Sequence, residues 1–580
     1  MHPATLSMAY GGPSSQATGG CPSHLDYNGQ MLDKTSTSSQ PGMKPLAGMK
    51  IVVTAIDLEQ NEHRGIAVYS KGLLRAIKNA GAEVWLLTGY DPKLMEASLK
   101  LLPRNTQELI YASRVLECLV SGRMELNRSS LKRMLIQKLP FGQWSLNKFD
   151  NIRQNIKGIN PKQHYNTNDI SKMYLHSLVD NPYLQHERLS YLKWIDGLLC
   201  ADEIYLNSMK LAGKVFSKPL YLDLEGYDGF ITTCPLNIKS DHVKFSIQSI
   251  HDLIPLEYYP TSDRQSIFAR RLQHSANCAR IYVSSSTKNK FNLSIKSGLC
   301  NTETVVVQPP SIKFNHCNIE QSSDLLALYP CSGLNKVKSK LNPFRYILFN
   351  SSVESRKNLV FALKAYNESR LGEKGIKFCI TGAIKSDDYS RKIESLVSND
   401  EDIVMTNYID EQTKRDLFLN AMLLVSPSLV EGFGIPVLDA ACLGLVALAS
   451  PSMAHREIQN LYDFDKYVWF CDNHNSSDLA KGMHLAAKRE AGPKLIKSKL
   501  EMGSEKLSRL SNLSKNQTRR IKRIERYETY QKLIDQDFQD KIVQIIAEEL
   551  ECKPDSFKSK KVTSLFPGST RQALSKAQSH

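Results

Sequence analysis

The chain has 580 residues, 41% of them hydrophobic, which is enough for two or three domains with real cores. No apolar run approaches the ~18 residues of a membrane-crossing helix, so a soluble globular protein is expected. A formal charge of +16 and a pI near 9.1 suit nucleic acid, acidic membrane surfaces or anionic substrates, but no helix-turn-helix, zinc-finger or aromatic RNA-binding signature accompanies the charge, and no nucleic acid partner is expected.

The 12 cysteines are scattered from Cys21 to Cys552 without a Cys-x-x-Cys pair, which points to neither a zinc site nor a disulfide framework and suggests a reducing, cytoplasmic compartment. Residues 1–48 are rich in Ser, Thr, Gly and Pro, lack the apolar core and basic start of a signal peptide, and read as a disordered leader. Lys50 to Ala55 then reads as a strand, followed by a loop around Arg64 and Gly65, a helix from Val68 to Ala80 closed by Gly81, and a strand from Glu83 to Leu87. That order opens a doubly wound α/β sheet, whose first loop faces the ligand crevice. Pro92 to Leu211 is largely helical in pattern, with apolar residues at helical spacing in Leu109–Val120 and Leu189–Leu199, and reads as an insertion in which Trp144 and Trp194 are packing residues. Strand patterns return at Pro219–Leu222, Gly229–Thr233 and Val243–Ile250, the last running straight into His251-Asp252. Arg280–Ser284 and Thr304–Gln308 close the first domain, and Pro309-Pro310-Ser311 opens a polar link to about Leu341.

A second strand, loop and helix series begins at Tyr346–Ser351. Its first loop carries Arg356 and Lys357 just ahead of a helix, where two cations oppose the helix dipole and need compensation; a diphosphate would supply it. Strands follow at Lys377–Thr381, with Gly382 at its end, and at Ile403–Tyr408. The most informative stretch runs from Val425 to Ser450. A strand over Ala421–Val425 leads into the loop Ser426–Glu431, then Gly432-Phe433-Gly434, then a helix over Pro436–Cys442 with proline in its first turn and a strand over Leu445–Ala449. The glycines let a ligand approach the unpaired amides of the helix start, which makes an anion site. Glu431 and Asp439 flank it, and carboxylates beside a phosphate are natural acceptors for sugar hydroxyls. Together these suggest a nucleotide-sugar.

This stretch resembles the signature of the GT-B glycosyltransferases of retaining family four (glycosyl transferases group 1), Glu-Gly-Phe-Gly followed by a second acid eight positions after the first; here that acid is Asp439, one methylene shorter than the usual glutamate. The resemblance implies an α/β GT-B fold of two Rossmann-like doubly wound domains facing a cleft. The first would span residues 49–335 with the helical insertion at about 92–211 and meet the acceptor; the second, residues 336–498, would bind the nucleotide-sugar. It further implies that Arg356 and Lys357 balance charge on the leaving diphosphate, that Glu431 holds donor sugar hydroxyls, and that Gly432, Phe433 and Gly434 present amides to phosphate. Asp439 would hold the ribose, His251 would line the reaction centre, Gly65 would lie near the phosphates, and the base would lie along the strand ends at Gly382 and Tyr408. Ser351 stands where some relatives carry another arginine, and Glu457, in the place of the family's post-signature glutamate, reads as structural.

Residues 499–550 form a basic helical segment expected to cross back onto the first domain, with contact to an anionic membrane surface as the secondary reading of its arginines; residues 551–580 read as a loose tail. The expected activity is sugar transfer from an NDP-sugar to a glycan or lipid-linked acceptor, with no cofactor and no metal. Asp223-Leu224-Glu225 and Asp535-Gln536-Asp537 mimic metal-binding acidic triplets, but such patterns arise readily in solvated segments. A non-catalytic sugar- or anion-binding protein with the same fold is the alternative; a phosphorylase lacks its pyridoxal lysine context here, and charge alone motivates a nucleic-acid binder.

Overall fold

Short runs of β-branched and aliphatic residues, buried on both faces, build two large sheets. The computed structural model describes residues 44–60, 63, 65–92, 97–122, 161–175, 181–214, 216–258, 264–295, 302–314, 326–328, 339–385, 387–398, 400–491 and 514–551. In the first sheet the strands are β1 (Lys50–Thr54), β2 (Glu83–Thr88), β3 (Ser171–Tyr174), β4 (Gly197–Cys200), β5 (Gly229–Thr232), β6 (Phe245–Ile250), β7 (Ala279–Tyr282) and β8 (Glu303–Val305). Their spatial order is β8-β7-β6-β5-β1-β2-β4-β3, parallel throughout except where β3 runs against β4. The helix α1 (Gly65–Asn79) follows β1 and buries Tyr69, Leu73, Leu74 and Ile77 against the sheet.

The second sheet has six parallel strands: β9 (Tyr346–Asn350), β10 (Lys377–Thr381), β11 (Ile403–Met405), β12 (Leu423–Ser426), β13 (Ala447–Ala449) and β14 (Val468–Phe470). The order β11-β10-β9-β12-β13-β14 reverses between β9 and β12, so the loops leaving those two strands diverge and open a crevice. In the first sheet the order reverses likewise between β1 and β5. The expected α/β architecture of two doubly wound sheets is therefore present.

Three expectations change. The leader does not extend to residue 48, because Leu46 is buried in the core and its N–H bonds to the Ala80 carbonyl at 2.9 Å; the rest of the leader lies outside the described residues. The insertion does not extend to Leu211: β4, flanked by β2 and β3, belongs to the main sheet, and the helix Ile204–Ala212 follows it. The apolar spacing of Leu189–Leu199 belongs to a 3-10 segment, Glu187–Trp194, and the start of β4, since a short run of alternating and paired apolar residues fits either period. Within the same region Arg104–Ser121 is the expected helix, and Trp144 lies outside the described residues.

The helix α10 (Lys515–Glu551) ties the halves together; residues 499–513 and the tail from 552 lie outside the described residues. Its arginines face inward. Arg520 and Arg523 are 1% and 5% exposed; the first bonds Asn420 and the second the carbonyls of Leu419 and Ala421, at the end of the helix Glu411–Asn420, where a helix leaves carbonyls unpaired. Arg526 pairs with Asp463 at 2.6 Å. Farther along, Asp535 pairs with Arg75 of α1, and Phe538 meets Tyr69 edge-on at 5.6 Å. This part of the basic segment is thus a packed strap, which corrects the membrane-facing reading for Arg520 and Arg523. No described helix is long and apolar enough to cross a membrane.

At the middle of the strap, Tyr527 is fully buried; its hydroxyl receives the Ile312 N–H at 2.7 Å and donates to Asp439 at 2.8 Å. Tyr527→Phe leaves a buried amide and a buried carboxylate each short of a partner, a cost of ~1–3 kcal/mol. A fall of that size in the unfolding free energy from urea titration is expected, and an unchanged value would show that the strap is held elsewhere.

Candidate active site

The loops leaving β9 and β12 meet at the crevice of the second sheet. From β9 comes Ser355–Lys357, a single 3-10 turn ended by Asn358 in the left-handed region, before the helix Leu359–Ser369. From β12 comes Ser426–Gly434, followed by α7 (Ile435–Leu443). The Leu429 N–H bonds the Arg356 carbonyl at 2.8 Å, which locks the loops together.

Charge is concentrated where they touch. Lys357 Nζ donates to Glu431 Oε1 at 2.5 Å, and the Ser428 hydroxyl donates to the same oxygen at 2.7 Å. Arg356 Nε donates to Glu354 at 2.8 Å and its other nitrogen lies 3.8 Å from Glu431; Lys385 lies 2.9 Å from Glu354. Burial alone would raise Glu431, but Lys357, His455 and Arg356 outweigh it and hold its carboxyl at about 2. Burial lowers the Lys357 ammonium while Glu431 supports it. Glu354, likewise resisting burial through Arg356 and Lys385, sits at about 2. The compensation expected from a diphosphate is thus already provided by two carboxylates, and the cations precede the helix rather than starting it. Glu354 gave no sequence signal beyond standing two residues before Arg356.

Two glycines owe their identity to backbone geometry. Gly434 has φ +98° and a Cβ there would lie 2.8 Å from the His455 ring; Gly382 has φ +138° and a Cβ would overlap the Ser351 carbonyl oxygen at 2.0 Å. His455 is fully buried, its Nδ1 carrying the proton donated to the Ser450 carbonyl at 2.9 Å, while its Nε2, beneath the glycine loop, has no hydrogen-bond partner among the described residues. Nothing in the residue types around it, Ala454-His455-Arg456, marks it out.

The first domain supplies the facing wall. His251, at the carboxyl end of β6, is 8% exposed and bonds the Thr233 carbonyl through Nε2 at 2.7 Å, which puts the proton on Nε2; burial holds the ring neutral. Asp57, half-buried, accepts from Thr233 at 2.6 Å. Asp252 packs so closely on Gly432 that a Cβ there would lie 2.9 Å away, and a Cβ on Gly65 would lie 3.2 Å from Ile435. Arg64 lies outside the described residues. Glu457, on the helix Met453–Gln459 of the second domain, accepts the Ser285 and Ser286 N–H groups, each at 2.8 Å, at the start of the first-domain helix Ser285–Ser294. It is a structural latch.

Between these walls lies a cavity of about 310 Å³. It is lined by Arg356, Lys357, Glu431, Gly432, Phe433, Gly434, His251, Gly65, Gly382, Tyr408 and Asp439, so the chain brings every expected site residue to one place. Asp439 has further partners within the protein. Its side chain is fully buried and its oxygens accept from the Ser311 N–H at 2.7 Å, the Ser311 hydroxyl and Tyr527. Three donors take up most of its acceptor capacity, and through them Asp439 fastens the interdomain linker. The shorter acid is drawn down into the protein.

Glu431 sits at about 2 when folded against an ordinary 4.5, so its stabilising contribution is complete above about pH 4.5 and is lost as pH falls toward 2. In Lys357→Met the buried carboxylate loses its partner, at a cost of ~3–5 kcal/mol near neutrality. Burial then raises Glu431, so unfolding midpoints should rise with acidification in the variant and fall in the parent; parallel profiles would show that the pair does not form.

Residues 334–501 match the model of the family described as glycosyl transferases group 1. Among solved structures, the chain is similar to sucrose-phosphate synthase from Thermosynechococcus elongatus, at 11% identity over 86% of this chain and 100% of that one, with a TM-score of 0.46. It is also similar to Anabaena HepE in complex with UDP-glucose (11%, 87% and 100%, 0.42) and to a glycosyltransferase from Rickettsia africae (12%, 88% and 99%, 0.39). No curated protein matches by sequence.

Proposed function

We propose that the chain, whose residues 334–501 match the glycosyl transferases group 1 model, is a glycosyltransferase of GT-B architecture that moves a sugar from an NDP-sugar to a glycan or lipid-linked acceptor with retention at the anomeric carbon, in cell-surface polysaccharide or glycoconjugate synthesis. The observation that carries the reading is the cluster of Arg356, Lys357 and Glu431 at the switch point of the second sheet, across the cavity from His251. Retention is carried over from the signature around Glu431.

In this reading the anomeric carbon–oxygen bond breaks with its electrons leaving on the diphosphate. Arg356 and Lys357 meet that charge, the first as a planar fork and the second as a point charge. The start of α7 adds amide dipoles already oriented before the reaction. Glu431, held by Lys357 and Ser428, accepts from donor hydroxyls with its remaining capacity. His251, neutral and with Nε2 committed to Thr233, presents an uncharged ring to the sugar. Asp439 acts at a distance, by holding Ser311 and Tyr527.

Two cations where a divalent ion would otherwise shield the diphosphate support metal-independent transfer. With a panel of NDP-sugars, turnover should survive a chelator; loss on chelation with rescue by manganese would overturn this account of phosphate binding. Glu431→Gln should lower kcat ~ten- to hundredfold, the scale of one charge-assisted hydrogen bond, with a smaller effect on donor KM. Full turnover in that variant would remove Glu431 from the reaction.

A further inference from the structure

Beside the cleft, and sharing His63 and Ser311 with its wall, lies a larger cavity of about 930 Å³, within the usual ~300–1,000 Å³ of small-molecule sites. It is bounded by α1, the turn Glu187–Trp194, the Pro309–Lys313 linker and the start of the helix Glu411–Asn420.

The carboxylates on its walls are mostly engaged. Asp410 caps the helix through the Thr413 N–H at 2.7 Å, Glu411 lies 3.6 Å from Lys414, and Asp416 accepts from Arg415 at 3.1 Å, which leaves Glu187. Arg75 is taken by Asp535. Lys71, Lys193 and Lys313, by contrast, form no ion pair among the described residues. Lys193 and Lys313 instead stand 4.8 and 5.9 Å from the centre of the Trp194 ring. An aromatic face steadies a cation without neutralising it, so the charge remains available to a ligand. Burial, then Lys313, pulls the Lys71 ammonium down to about 8 against support from Glu411, and Lys313 is lowered by its surroundings, with Glu411 and Glu187 opposing the fall and Lys193 and Arg75 adding to it. All three line the cavity, Lys71 half-buried and Lys193 and Lys313 exposed, so their charge is open to an anion that enters it.

We propose that this second cavity binds the acceptor and that the acceptor is an anionic saccharide, its phosphate or carboxylate held by Lys71, Lys193 and Lys313. A lone inorganic anion would leave most of the volume empty, whereas a sugar ring carrying one fills it beside Trp194. The shared His63 and Ser311 put such a ligand next to the donor cleft. The inference rests on the glycosyl-transfer reading, and donor binding tests the two separately.

The test is titration calorimetry on the full chain with glucuronate and hexose monophosphates, glucose and inorganic phosphate serving as controls, in the parent, in Lys71→Met/Lys313→Met and in Arg356→Met; nucleoside diphosphates are titrated into the same three. The anionic sugars should bind the parent and Arg356→Met alike and at least about tenfold more weakly to the double variant, while nucleoside diphosphates bind the double variant as they do the parent. Equal binding to parent and double variant, or none to the parent, overturns the proposal. Glucose binding as well as its anionic forms removes the charge requirement, and inorganic phosphate binding as tightly as they do removes the saccharide. If nucleoside diphosphates bind none of the three chains, the donor reading fails, and the assignment of this cavity to an acceptor fails with it.

Discussion

Because a buried carboxylate must find donors, Asp439 fastens together three stretches that lie far apart along the chain: its own helix, the linker at Ser311, 128 residues before it, and the strap at Tyr527, 88 residues after it. Lys414 adds a fourth by donating to the Ser311 hydroxyl at 2.8 Å. The linker runs between the two sheets, so this polar junction, with the Glu457 latch and the strap, helps to set the relative placement of Glu431 and His251. Burial raises the Asp439 pKa, and Lys414, Ser311 and Tyr527 work against that rise. Deep in the protein such a junction contributes modestly to net stability, yet it tolerates little variation in geometry.

The reaction cleft follows a related logic on its own side. Glu354, Arg356, Lys357 and Glu431 are alternately charged and mutually bonded, so the cluster is close to neutral before any ligand arrives. Its cations are therefore already oriented, and binding a donor requires redistribution of partners rather than the ordering of long side chains. A neutral, buried His251 opposite keeps the facing wall from adding a competing charge.

Much of this architecture could be read from residue order. The second domain was the clearest, because its strands are short continuous apolar runs separated by loops that carry Arg356, Lys357 and Gly432-Phe433-Gly434 in one line of sequence. Local signals end where bonding becomes distant. Nothing near Asp439 in the chain announces Ser311 or Tyr527, and the ribose role suggested by its spacing from Glu431 ignores both. Glu187–Trp194 and β4 were merged into one helical pattern because a few apolar residues cannot separate a 3-10 turn plus a strand from a helix. The inward arginines of the strap looked like surface charge because their acceptors are backbone carbonyls, which no residue type reveals. His455 was invisible for the opposite reason: its neighbourhood is a glycine loop whose missing side chain makes the room.

The latch from Glu457 to Ser285 and Ser286 joins the two halves through a carboxylate and the amide dipoles of a helix start. Attraction of that kind is weakened by dissolved ions far more than packed apolar surface is. The seam on this side of the molecule is therefore tuned by its surroundings: dilute solution tightens it, and brine slackens it, while the apolar cores behind it hold their shape.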